Sequence, residues 1–287
     1  MSTSNKMLKR LAVAAAMLLG AQNSLGQSVT QNVGEQGTVD WSQRKIRATG
    51  VAAPNPNMPQ GAQRAGALEA AKLGALRNLL QTVKGMVLDS ETLVSNAMVE
   101  SDVIRTRVSG FVQGFTVVDT RYMSDTSVEV EVEIPLAGIS DVVLPPGKAL
   151  QGDLGNPNSG YGLPGAGGAP SVPAGVVTGV VINAKGLGVV PAMAPKVLDE
   201  EGNEVYGSRL VDRDWAVQQG MAGYAKVLNE ARANKRVAPN AMVINALKAA
   251  GNNKADVVIS NADAQALKQA AANQSFLDKC QVVFVVD

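Results

Sequence analysis

Ser127-Val128-Glu129-Val130-Glu131-Val132-Glu133-Ile134 is the stretch whose reading decides the fold. Valine and isoleucine alternate strictly with glutamate, the period of a strand with one buried face and one wet face. A valine face of that length needs a cover. The preceding helical run, Ala62 to about Lys84, offers one, with Ala65, Leu68, Leu76, Leu79, Leu80 and Val83 along one side at spacings of three and four. Helix across strand makes a small α+β layer, and Gly61 to Gly138 is the segment around which the rest of the chain is arranged.

Between helix and strand, Met86-Val87-Leu88 and Glu91-Thr92-Leu93-Val94 read as short extended pieces. A second helix is expected from about Asn96 to Gln113, burying Val99, Val103, Val108 and Val112. Its β-branched content makes it a weaker helix than the first. Phe115 to Tyr122 is a strand that turns at Ser124-Asp125, which brings Arg121 opposite Glu129 as a cross-strand ion pair. Upstream, Lys45 to Ala52 is the first strand, and Pro54, Pro56 and Pro59 end it. Asp40-Trp41 stands at the domain edge, where a lone tryptophan serves as a packing anchor.

The ends of the chain read differently. Lys6, Lys9 and Arg10 followed by the apolar run Leu11 to Leu19 and small residues have the form of a secretory signal over residues 1–26. That run is too short for a permanent membrane span. Residues 27–38 are polar and read as a flexible leader, and 39–144 as the α+β domain. Residues 145–175, dominated by Gly, Pro, Asn and Ser, read as a tether.

Residues 176–287 form a second domain, a small mixed α/β sheet. Strands are expected at Val177 to Ala184, Lys196 to Asp199, Glu204 to Tyr206, Asp256 to Ser260 and Val282 to Val286. Helices are expected at about Asp214 to Ala233, Ala241 to Ala250 and Asn261 to Ala272. The fold class is therefore α+β in two small domains, the first a helix-packed antiparallel ribbon and the second mixed α/β.

Composition excludes several kinds of chemistry. The chain of 287 residues has no histidine, which removes Ser-His-Asp and Cys-His nucleophile systems and histidine metal sites. Its one cysteine, Cys280, lies in an apolar strand-like run and reads as a small buried hydrophobe, with no disulfide within the chain. Lys plus Arg is 26 against 25 Asp plus Glu, so there is no basic surface for nucleic acid. Aromatic residues are 3%, and cores of Ala, Val, Leu and Met bury less area each, which association with other copies can offset.

Three clusters resemble sites and read better as structure. Glu129, Glu131 and Glu133 lie along one line, whereas Ca²⁺ wants a cage of oxygens, so they form a solvated strand face. Gly186 and Gly188 have no helix directly after them, and Asp199-Glu200-Glu201 has the chemistry of a tight turn. No catalytic, cofactor-binding or metal-binding residue is expected, and no cofactor.

Arg47-Ala48-Thr49-Gly50, the alanine-rich helix from Ala67 to Leu80, Val108-Ser109-Gly110-Phe111 and Val128 to Pro135 together resemble the LPP20 (FlgP-like) family of bacterial envelope proteins. The resemblance covers about residues 40 to 142. It implies a protein that assembles into rings or disks around a larger machine, the flagellum among them, without enzymatic activity. Family members are commonly lipoproteins, and no cysteine stands near the expected cleavage zone, so a cysteine-linked anchor is not expected here.

The expectation is an exported periplasmic or outer-membrane-associated structural protein with homo-oligomer or envelope protein partners, no integral span in the mature chain, and no enzymatic activity. The competing expectation is a monomeric module binding a small ligand or cell-wall component in a pocket lined by Trp215, Tyr206 and Tyr224.

Overall fold

The computed structural model describes residues 27–144, 175–272 and 274–287. The expected signal segment, and all of the expected tether except Gly175, lie outside the described residues.

The first domain runs β1 (Thr30–Asn32), β2 (Gly37–Asp40), β3 (Lys45–Ala52), α1 (Gln60–Gly85), α2 (Val94–Glu100), α3 (Asp102–Gln113), β4 (Thr116–Tyr122), β5 (Val128–Pro135) and α4 (Leu136–Val143). Its five strands form one antiparallel sheet in the order β1-β2-β3-β5-β4. Val128, Val130, Val132 and Ile134 are buried as the alternation requires, and α1 packs over β3 and β5. The expected flexible leader is instead β1 and the start of β2. These polar residues sit at a sheet edge, where backbone pairing needs no apolar side chain, and Trp41 Nε1 donates to Gln31 Oε1 at 3.0 Å to hold β1 down.

The seam between α1 and the sheet is built from small residues. The buried positions are Ala67, Ala71, Ala75, Leu79, Thr82 and Val83; Ala65 is exposed and Leu68, Leu76 and Leu80 are only half-buried. Backbone proximity explains the shift of the stripe. A Cβ on Gly50 would sit 2.2 Å from both the Ala71 carbonyl oxygen and the Ala75 amide nitrogen, so nothing larger than glycine fits there. The facing helix positions are correspondingly alanine.

The expected helix from Asn96 to Gln113 is two helices. Ser101 ends α2 and caps α3, its Oγ accepting from the Ile104 amide at 3.3 Å. The break resets the helical phase, so Val94, Met98, Val108 and Val112 are buried while Val99 and Val103 face solvent.

The second domain contains β6 (Gly179–Asn183), β7 (Val197–Leu198), β8 (Glu204–Tyr206), α5 (Arg213–Gln219), β9 (Gly223–Ala225), α6 (Leu228–Ala233), β10 (Ala241–Asn245), β11 (Lys248–Ala250), β12 (Asp256–Val258), α7 (Asn261–Ala272) and β13 (Val282–Val285). β10-β6-β13-β9 is a parallel sheet and β11-β12-β7-β8 a mixed one.

Two expected helices are corrected here. Asp214 to Ala233 is interrupted because Gly220 takes φ +76°, a left-handed conformation that ends α5, and Tyr224 then enters the core from β9. Ala241 to Ala250 is β10 and β11, since pairing with β6 and β12 overrides the helix preference of its alanines.

The two domains share one contiguous apolar core, from Val39, Ile46 and Ile139 in the first to Tyr206, Ile244 and Phe284 in the second. The segment after α1 joins them: the Met193 and Ala194 amides donate to the Val87 and Leu88 carbonyls at 3.1 and 2.7 Å. Asn253 donates from its backbone amide to the Ser90 carbonyl at 2.8 Å.

Candidate functional site

The clusters weighed from sequence each find a structural partner. Glu133 pairs with Lys45 and Arg47 at 2.7 and 2.8 Å, and Glu129 with Arg121 at 2.9 Å, as the turn at Ser124-Asp125 requires. Burial pushes the Glu133 carboxyl up, and the Lys45 and Arg47 bonds outweigh it, so it rests below the usual carboxylate range. The Gly186 and Gly188 amides donate to the Asp287 carboxylate at 2.9 and 3.4 Å. Asp199 accepts from the Asn203 amide at 2.7 Å, and Glu200 and Glu201 bind Asn261 at the start of α7. Among the described residues, no group of three or more His, Cys, Asp or Glu side chains could hold a metal ion.

The pocket expected from Trp215, Tyr206 and Tyr224 does not form. Tyr206 and Tyr224 are core residues whose hydroxyls donate to the Met221 and Ala192 carbonyls, while Trp215 is exposed. Cys280 is fully buried, and burial foremost pushes its thiol up to about 11.

The domain junction carries what sequence reading missed. Trp41 is buried edge-on against Tyr224 of the second domain, with ring centroids 5.5 Å apart. Beside them lies a cleft of about 240 Å³ whose lining includes Arg44, Glu230 and Arg236. Arg44 donates across the junction to the Val217 carbonyl at 3.2 Å and to that of Gln218; Arg236 donates to the Gly220 and Cys280 carbonyls at 2.8 Å and to that of Gln219. Two guanidiniums thus satisfy the carbonyls at the C-terminal end of α5, the negative end of its dipole. Burial, and secondarily Arg236, lowers the Arg44 pKa to about 10. At the other end of α5, Arg213 donates to the Asp141 carboxylate and carbonyl at 3.2 and 2.7 Å. Arg44 and Arg213 hold the two domains together, while Arg236 braces the end of α5 from within the second domain.

The exposed surface with the clearest unmet potential is β4. It is the terminal strand of its sheet, and all of it except Thr120 is exposed. Val117, Val118, Tyr122 and the adjoining Met123 are 40%, 43%, 52% and 46% exposed, an apolar run along an edge that no strand among the described residues covers. The Met123 amide bonds inward to the Ser127 carbonyl at 2.9 Å, and strand alternation then turns the Thr120 amide outward. That amide is covered by its neighbour's carboxylate, Asp119 Oδ1, at 2.8 Å. Asp119 and Arg121 lie on the glutamate face, opposite Glu131 and Glu129, while Thr120 and Tyr122 lie on the helix face, where Arg64 stands 4.4 Å above the Tyr122 ring.

Residues 37–135 match the family described as LPP20 lipoprotein. The first domain is LPP20-like. Residues 179–287 match the family described as the second domain of Treponema pallidum Tp0624. Comparison with curated proteins found no match. The first match runs from β2 to β5 and leaves β1 and α4 outside it, and the second encloses both later sheets. Lipoproteins usually carry a lipid anchor, so the match lends no support to the expectation of a chain without one. No helix among the described residues is long and apolar enough to cross a membrane.

Proposed function

We propose that the chain is a bacterial envelope-associated protein that works by assembling with other copies or docking on envelope partners, without catalysing a reaction. The family of the first domain is named for lipoproteins, and the charged and apolar pattern of residues 6–19 has the form of an export signal. The observation that carries the assembly reading is β4, an edge that no strand among the described residues covers, lined by exposed valine, tyrosine and methionine. Such an edge offers backbone hydrogen bonds and an apolar strip to an added strand. The arginine-stapled junction supports it further, because a building block needs its two domains in a set relation. A flagellar role is the finer form of this proposal and rests on the LPP20 resemblance alone.

The test is to express two differently tagged copies in the host and fractionate it. The proposal expects both tags in the envelope fraction, with one tag co-purifying the other or a defined envelope protein. Recovery in the cytoplasm with neither companion contradicts it. A second reading, a binding module, has the junction cleft beside Trp41 in its favour; it expects saturable quenching of tryptophan fluorescence by cell-wall fragments.

A further inference from the structure

We infer that β4 is a self-complementary edge through which two copies of this chain pair antiparallel, Thr120 lying opposite Thr120 of the second copy. This rests on the assembly reading above and names the partner and the register.

The order of residues along the edge carries the inference. About Thr120, the sequence Val117-Val118-Asp119-Thr120-Arg121-Tyr122-Met123 is symmetric in chemical character. Antiparallel pairing centred there sets Asp119 against Arg121 of the second copy and Arg121 against its Asp119. Outside them Tyr122 meets Val118, the residue at which β4 bulges and the regular register ends, and the two-fold symmetry makes this contact twice. Opposite charges and apolar pairs directly across strands are the contacts that stabilise a sheet.

Neighbouring registers fail. Centring the pair on Asp119 puts carboxylate against carboxylate, and centring it on Arg121 puts guanidinium against guanidinium. A half-step shift trades the faces, so that glutamate-face charges meet helix-face residues. In the Thr120 register the faces agree: Asp119 and Arg121 share the glutamate face and meet each other there.

The backbone agrees as well. In the single copy the outward Thr120 amide is covered by Asp119 Oδ1, and Arg121 holds Asp119 Oδ2 at 2.9 Å. On pairing, the Thr120 amide donates to the Thr120 carbonyl of the second copy, and the Asp119 carboxylate turns to the second copy's Arg121. The two five-stranded sheets become one continuous sheet, and the exposed Val118 and Tyr122 side chains are covered. Asp119 thus guards the edge in the single copy and recognises the second.

Two variants of the full chain test this. In D119K the new lysine faces Glu131 across β4 and β5, so the fold is kept; it also faces Arg121 of the second copy, so pairing is lost. Light scattering expects self-association by the wild type and at least a tenfold higher dissociation constant for D119K, with the circular dichroism of the folded chain retained. T120C tests the register. Hydrogen-bonded partners of this kind lie about 5.5 Å apart at Cα, too wide at Cβ for an unstrained disulfide but within reach of a short thiol-to-thiol cross-linker, and the native Cys280 is buried. Cross-linking is expected to trap a covalent dimer.

A wild type that self-associates while D119K associates equally well, or while T120C gives no covalent dimer, overturns the β4 pairing and leaves the assembly reading standing. A wild type that is monomeric at every concentration overturns the pairing and self-assembly together.

Discussion

Replacing Gly50 with alanine tests the closest contact in the first domain. The added Cβ would lie 2.2 Å from the Ala71 carbonyl oxygen, 2.2 Å from the Ala75 amide nitrogen and 2.8 Å from the Ala75 Cα. Ordinary contact begins near 3.4 Å, so α1 must retreat by about 1 Å or β3 must bend. Retreat loosens the seam at Ala67, Ala71, Ala75 and Leu79, all buried against the sheet. Overpacking of this kind costs about 1–3 kcal/mol. At about 2–4 °C per kcal/mol for a chain of this size, the thermal midpoint should fall by about 2–12 °C.

The clash is with helix backbone, and that supplies a control. Shortening the facing side chain in G50A/A75G removes none of the three contacts and adds about 1 kcal/mol of lost helix preference. The double variant should therefore melt below G50A in a calorimetric scan. A G50A midpoint equal to wild type, or recovery in the double variant, refutes the backbone-contact account.

Three further outcomes are expected. V130D/V132D places two carboxylates under α1 with no partner and should abolish cooperative unfolding by circular dichroism; wild-type melting would mean that the strand faces the other way. Burial holds the Asp256 carboxyl above its ordinary range, against the Ser90 and Lys196 bonds, so the fold favours its protonated form and stability falls as pH rises through that raised value. D256N keeps an acceptor for the Lys196 amide, held at 2.8 Å, and removes that loss. It should match or exceed wild type in urea denaturation at pH 7, with the advantage shrinking toward pH 4; the reverse trend would contradict the assignment. Cys280, with its thiol pushed up to about 11, should resist a thiol reagent at pH 8 in the native chain and react at once after unfolding, whereas fast native labelling would contradict its burial.

The sequence made β5 plain because valine and glutamate differ in both size and charge. The α1 stripe was half-legible. Apolar scoring favours Leu68, Leu76 and Leu80, yet a helix pressed against Gly50 buries alanines, and closeness of approach leaves no mark in hydrophobicity. Ser101 carried a readable signal as a cap at the break between α2 and α3, masked by valines that continue the pattern across it. Gly220 likewise marked the end of α5. Residues 241–250 gave no local warning, since their strands exist only through partners far along the chain.

The edge at β4 was legible as a ribbon strand, but its exposure came from the sheet order. The junction was not legible at all. Trp41 meets Tyr224, and Arg44 meets the end of α5, across more than 170 residues, without a shared motif.

The measurement that tests the central claim most directly is the absolute mass of the chain from Gln27 onward, by light scattering over a concentration series. Assembly predicts a mass that rises with concentration to a discrete multiple of the single chain. A single-chain mass at every concentration contradicts self-assembly and moves the weight to docking on an envelope partner or to the cleft beside Trp41.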